Sequence, residues 1–228
     1  MKREEEKKKT AFWTRVMLVL IAVLFVGMMI ISSWGMGWLT TFRTAKPLET
    51  LAMQYTISDA DGHVILTTEK AAYQAAIKKG DPVFYTMPFE VQAGKTGNPA
   101  IIGVPAYNPF IGEVQYALLG LEADEMAVAL VGLHAGETKK LTFQFEDQLQ
   151  TDFSEEEFNT VGGNFSTSVV GDWLPLGFST TPILDLPGQD QPTNTSIRMA
   201  RVLEKTDTSA LLGYRYATAE VSFAEFPQ

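Results

Sequence analysis

The chain has 228 residues, no cysteine and a net charge of −9. Without cysteine there is neither a disulfide framework nor thiol chemistry. Residues 44–228 carry 11 Lys/Arg against 24 Asp/Glu; this acidic balance argues against nucleic acid as a partner, which needs basic contacts to phosphate.

The N-terminus opens on MKREEEKKK and runs into an apolar stretch with no charged residue between Arg15 and Arg43. An apolar helix needs roughly 20 residues to cross a bilayer core. Val16 to Trp34 meets that length, and Trp34 and Trp38 sit where an aromatic belt would lie. The sequence therefore predicts one transmembrane helix over 16–38, after a basic tail (1–15) and before a tether (39–49). Lys2, Arg3, Lys7, Lys8, Lys9 and Arg15 precede the run, so the positive-inside rule places the N-terminus in the cytoplasm and the rest outside. A cleaved signal peptide is the competing reading. Against it, the run exceeds the roughly 7–15 residues of an h-region, and no A-x-A site follows.

Beyond the tether, Leu51, Met53, Tyr55 and Ile57 alternate with polar or small residues as a half-buried strand. Asp59-Ala60-Asp61-Gly62 is a turn signal, and a second strand from His63 to Thr68 completes a hairpin. Thr67 or Thr68 caps a short helix through Lys79, ended by Gly80. Residues 81–115, rich in Pro and Gly, read as strands and loops. Glu122, Asp124 and Glu125 open a helix that Gly132 ends; a turn and a strand through Phe143 and Phe145 follow. Ser154 and Glu157 form a capping box. Residues 161–192 read as loop, and strands at 198–204, 211–217 and 219–226 close the chain.

These residues resemble the FKBP-type peptidyl-prolyl cis-trans isomerases. Tyr55, Asp61 and Gly62 fall at that family's spacing. Gly132-Leu133-His134-Ala135-Gly136-Glu137-Thr138-Lys139-Lys140-Leu141 is similar to its central signature, and Val221-Ser222-Phe223 to its closing strand. The resemblance implies an α+β fold: an antiparallel sheet wrapped on a short helix over 50–145 and 211–228. A small β-rich domain over 146–210 would be inserted in the flap. It also implies a substrate pocket at Tyr55, Ile65, Leu66, Met126 and Phe223. Ile65 and Leu66 depart from the aromatic and the Asp usual at those positions, and the flap motif is replaced by Phe145-Glu146-Asp147-Gln148-Leu149. Such an enzyme lowers a barrier of about 18–20 kcal/mol by holding the twisted imide in a dry pocket, and needs no nucleophile, metal or cofactor.

Two functions follow as expectations. One is a membrane-anchored folding factor for exported proteins, acting by prolyl isomerisation or by chaperone binding of Pro-containing or unfolded clients. The other is a non-catalytic scaffold or assembly subunit with a membrane-protein partner. His63 and His134 lack ligand-spaced partners, so no metal site is expected. Asn164 and Asn194 fit the N-x-S/T acceptor pattern. The apolar run Trp173 to Phe178 reads either as a packed insert core or as a holding surface for clients.

Overall fold

The computed structural model describes residues 16–29, 43–144, 149–179 and 195–224. The chain divides into two units, 1–43 and 44–228. In the first, residues 16–29 form a helix (α1), whose large apolar side chains from Met17 to Met29 are exposed. Among the described residues, no helix is long and apolar enough to cross a membrane. The transmembrane helix expected over 16–38 is therefore not found among the described residues; residues 30–38, with the Trp34 and Trp38 belt, lie outside them.

The second unit is built on one curled sheet of twelve strands. They are β1 (Thr50–Ser58), β2 (Val64–Thr67), β3 (Phe84–Thr86), β4 (Phe89–Gln92), β5 (Ile101–Asn108), β6 (Gly112–Leu119), β7 (Lys139–Thr142), β8 (Gln150–Ser154), β9 (Trp173–Ser179), β10 (Thr195–Lys205), β11 (Ser209–Gly213) and β12 (Thr218–Ala224). The order is β7-β12-β1-β2-β3-β5-β6-β10-β11-β8, with β4 beside β1 and β9 beside β10. Among the described residues three helices accompany it: α2 (Lys70–Lys79), α3 (Gly120–Leu130) and α4 (Glu155–Thr160).

The local signals explain the local elements. β1 and β2 pair as the antiparallel hairpin, with Thr56 opposite Thr67. Asp59 fixes its turn by accepting from the N–H groups of Asp61 and His63 at 3.0 and 2.8 Å. Gly80 takes the left-handed conformation after α2 and donates to Ile77 O, closing the helix end. The capping box of α4 forms, with the Glu157 carboxylate accepting from Ser154 N–H at 2.9 Å. Helix α3 is buried along most of its length. Gly120 starts it, where any Cβ would collide with the carbonyl oxygen of Pro99.

The expected FKBP-like architecture is overturned. The sheet is not a small antiparallel one wrapped on a single helix, because it contains two parallel junctions, β2 with β3 and β6 with β10. Strands β8 to β11, expected in a separate insert, continue the same sheet through the contact of Tyr116 with Ile197. β11 also straddles the expected boundary at 210. Residues 173–179, read as loop, form β9, which pairs only with β10. On such an edge Pro175 leaves no ladder partner unsatisfied. Leu174 and Leu176 point inward, joining Phe158, Phe165, Val202 and Leu212 in a second hydrophobic cluster. That settles Trp173 to Phe178 as packed rather than as an exposed holding surface.

A buried polar network fastens β6 to β10. Arg198, wholly buried, spans the junction. Its guanidinium donates to both carboxylate oxygens of the equally buried Glu122, at 2.5 and 3.0 Å, to Ala117 O at 3.0 Å and to Tyr214 O at 2.7 Å. It also stacks 4.0 Å from the centre of the Tyr216 ring. Burial opposes the charge on Arg198, but Glu122 outweighs it and holds the guanidinium pKa above its ordinary value. The Tyr216 hydroxyl donates to Met199 O at 2.9 Å, so the very short contact between the two phenols has Tyr116 donating to Tyr216. Tyr116 in turn accepts from Met199 N–H.

Burial pushes the Tyr116 phenol up to about 12 and raises Tyr216 and Tyr55 well above their usual value of 10.0. A group held protonated in the folded chain stabilises the fold fully below its unfolded pKa and loses that contribution as pH rises through the folded value. These three tyrosines therefore leave stability unchanged below about pH 10 and erode it as pH rises above that. In an alkaline titration they are expected to give tyrosinate absorbance only as the circular dichroism of the fold is lost. Complete tyrosinate formation with intact secondary structure would contradict this burial.

Candidate binding surface

Tyr55, Ile65, Leu66, Met126 and Phe223 do come together, but inside the main core. Ile65, Leu66 and Met126 have no exposure, Tyr55 has 1% and Phe223 has 4%. Tyr55 lies on β1, stacked edge-on against Phe89 at 5.7 Å. Among the described residues its hydroxyl makes no well-formed hydrogen bond: the Thr86 hydroxyl, close enough to offset part of the burial-driven rise of the Tyr55 phenol, donates instead to Pro105 O at 2.7 Å. All five belong to one buried hydrophobic cluster.

Both histidines sit at turns. His63 Nδ1 lies 2.8 Å from Asp81 Oδ1, and His134 Nδ1 lies 3.3 Å from Glu137 Oε2. Asp59, Asp61 and His63 bring their ligand-type atoms close together, but these are already engaged. Arg201 of β10 pairs with Asp59 at 3.2 Å and more closely with Asp61, and His63 is held by Asp81. Arg201 lowers the Asp61 carboxyl below its ordinary value, by hydrogen bond and by charge. The cluster is an ion-paired latch between the β1–β2 turn and β10, above a cavity of about 150 Å³ lined by Trp173, Arg201 and Arg215, among others. Asn164 is exposed, with Oδ1 accepting from Ser166 Oγ at 2.8 Å; Asn194 lies outside the described residues.

The open surface is elsewhere, on the outer face of β3, β5 and β6. Along β5 the side chains alternate, Val104, Ala106 and Asn108 inward and Pro105 and Tyr107 outward. The cross-strand register sets Tyr85 beside Tyr107 and Tyr107 beside Glu113. Tyr73 of α2 packs against Tyr85, ring centres 5.6 Å apart. Partial burial, and secondly Tyr107, raise the Tyr73 phenol above its usual value. Tyr85, Tyr107 and Glu113, with Met87 and Pro105, border a groove of about 510 Å³.

At the end of the groove the β5–β6 hairpin turns through Pro109-Phe110-Ile111. Buried Asn108 holds this turn rigidly: its Oδ1 accepts from Phe110 and Ile111 N–H, and its Nδ2 donates to Val83 O at 2.9 Å. Gly112, at φ 91°, supplies the left-handed residue that a three-residue hairpin loop requires. Phe110 is thereby presented 89% exposed, next to exposed Ile111, while exposed Tyr107 and Met87 lie along the groove itself. Sequence reasoning missed this surface, although Asn-Pro-Phe-Ile-Gly between alternating runs is a readable hairpin signal.

No family model and no curated protein matches the chain.

Proposed function

We propose that this chain is a non-catalytic polypeptide-binding or assembly module, held at a membrane by its N-terminal apolar run. The observation that carries the reading is a contrast of exposure. The five residues that an isomerase of the resembled family would use as its pocket are closed within the core, whereas Met87, Tyr107, Phe110 and Ile111 stand in solvent beside an open groove. Contiguous exposed apolar surface on a folded domain marks an interaction site. A rigid hairpin tip suits this role, because little conformational entropy is lost when it docks. Attachment to a membrane is supported by the absence of charge between Arg15 and Arg43 and by the exposed apolar side chains of α1.

The test is suppression of aggregation of an unfolding client by the full chain in detergent micelles. Suppression is expected for the wild type and is expected to fall on Phe110→Ser with Met87→Ser, two exposed sites whose replacement leaves the fold intact. A wild-type chain that leaves aggregation unchanged, or a double variant as active as the wild type, would remove the groove and hairpin as the binding surface.

A further inference from the structure

The groove carries a chemical preference, and this inference rests on the reading that it binds polypeptide. Three tyrosine rings, from α2, β3 and β5, meet on one outer face: Tyr73 stacks on Tyr85, and Tyr85 is the cross-strand neighbour of Tyr107. The next residue along that row is Glu113, whose carboxylate is the single charge among the groove's lining residues. Aromatic faces attract cations through the ring quadrupole, and a carboxylate at the end of the row completes the field. Met87 and Pro105 supply apolar floor for the methylene stem of a long basic side chain. Residues 44–228 carry 11 Lys/Arg against 24 Asp/Glu, so the wider field draws basic chains toward the domain and repels acidic ones.

We propose that the Tyr73–Tyr85–Tyr107–Glu113 row is a subsite for an arginine or lysine side chain of an extended partner segment, its apolar neighbours lying against Met87 and the Phe110 hairpin tip. The cation sits over the tyrosine faces, and Glu113 fixes its register along the groove.

Titration of the full chain in micelles with two short extended peptides tests this. The peptides are identical except that a central arginine in one is citrulline in the other. The arginine peptide is expected to bind more tightly, with affinity that falls as salt rises. Tyr107→Ala is expected to weaken it by about 5–20-fold, and Tyr107→Phe, which keeps the ring, by less than about twofold. Glu113→Gln is expected to cost about 2–5-fold, the size of an exposed ion pair. Both positions are exposed, and an unchanged unfolding midpoint verifies the fold. Equal binding of both peptides, with no effect of Glu113→Gln, would overturn the cation subsite while leaving polypeptide binding standing. Absence of binding by either peptide would sink both. Self-association of the chain abolished by Tyr107→Ala would make a second copy the occupant and would also overturn the proposal.

Discussion

Replacing Arg198 with methionine is expected to cost about 3–5 kcal/mol of stability, because breaking a buried pair leaves an uncompensated buried charge. The guanidinium answers both oxygens of Glu122 and the carbonyls of Ala117 and Tyr214. After truncation Glu122 keeps, among the described residues, the Leu119 N–H at 3.0 Å. Pairing the change with Glu122→Gln removes the stranded charge and retains that N–H contact, so the double variant is expected to recover about 1–2 kcal/mol relative to Arg198→Met alone. Urea unfolding of the full chain, compared at equal m-value, reads the difference. Strictly additive losses would mean that Glu122 and Arg198 do not depend on each other, and the fastening of β6 to β10 would need another explanation.

The second large effect concerns the residues that resemble an isomerase pocket. Phe223→Ala is expected to destabilise the fold by about 3–5 kcal/mol, as large-to-small changes in a packed core do. Tyr55→Phe is expected to be neutral or to stabilise by about 1–2 kcal/mol, since it removes a buried hydroxyl with no well-formed partner among the described residues. This pairing distinguishes core from pocket. In a substrate pocket, Phe223→Ala would spare stability. Thermal and urea midpoints of the two variants decide between them; a Phe223→Ala chain as stable as wild type would show that the side chain is not packed as described.

Features encoded within a few residues were legible in the sequence. The β1–β2 hairpin follows from alternation and an Asp-rich turn, the end of α2 from Gly80, and the start of α4 from Ser154 and Glu157. Features that depend on distant partners were not. Glu122 reads as a helix opener and does accept from Leu119 N–H, but nothing nearby announces Arg198, 76 residues on. The β6–β10 junction likewise joins Tyr116 to Ile197, so strands that look like an inserted domain belong to the main sheet. β9 was hidden by its Pro and Gly, although Leu174 and Leu176 carried the period-two pattern. The groove was missed because Tyr73, Tyr85 and Tyr107 lie on three elements, and only the register of β3 on β5 and the packing of α2 bring them together.

A proline-limited refolding assay with the full chain in micelles bears most directly on the non-catalytic reading. The Tyr55, Met126 and Phe223 side chains are packed at 0–4% exposure, closed to a twisted imide in the described fold. The slow folding phase of the substrate is expected to keep its uncatalysed rate while the yield of soluble product rises. Acceleration of that phase in proportion to chain concentration would contradict the non-catalytic reading and return these residues to the role their resemblance implies.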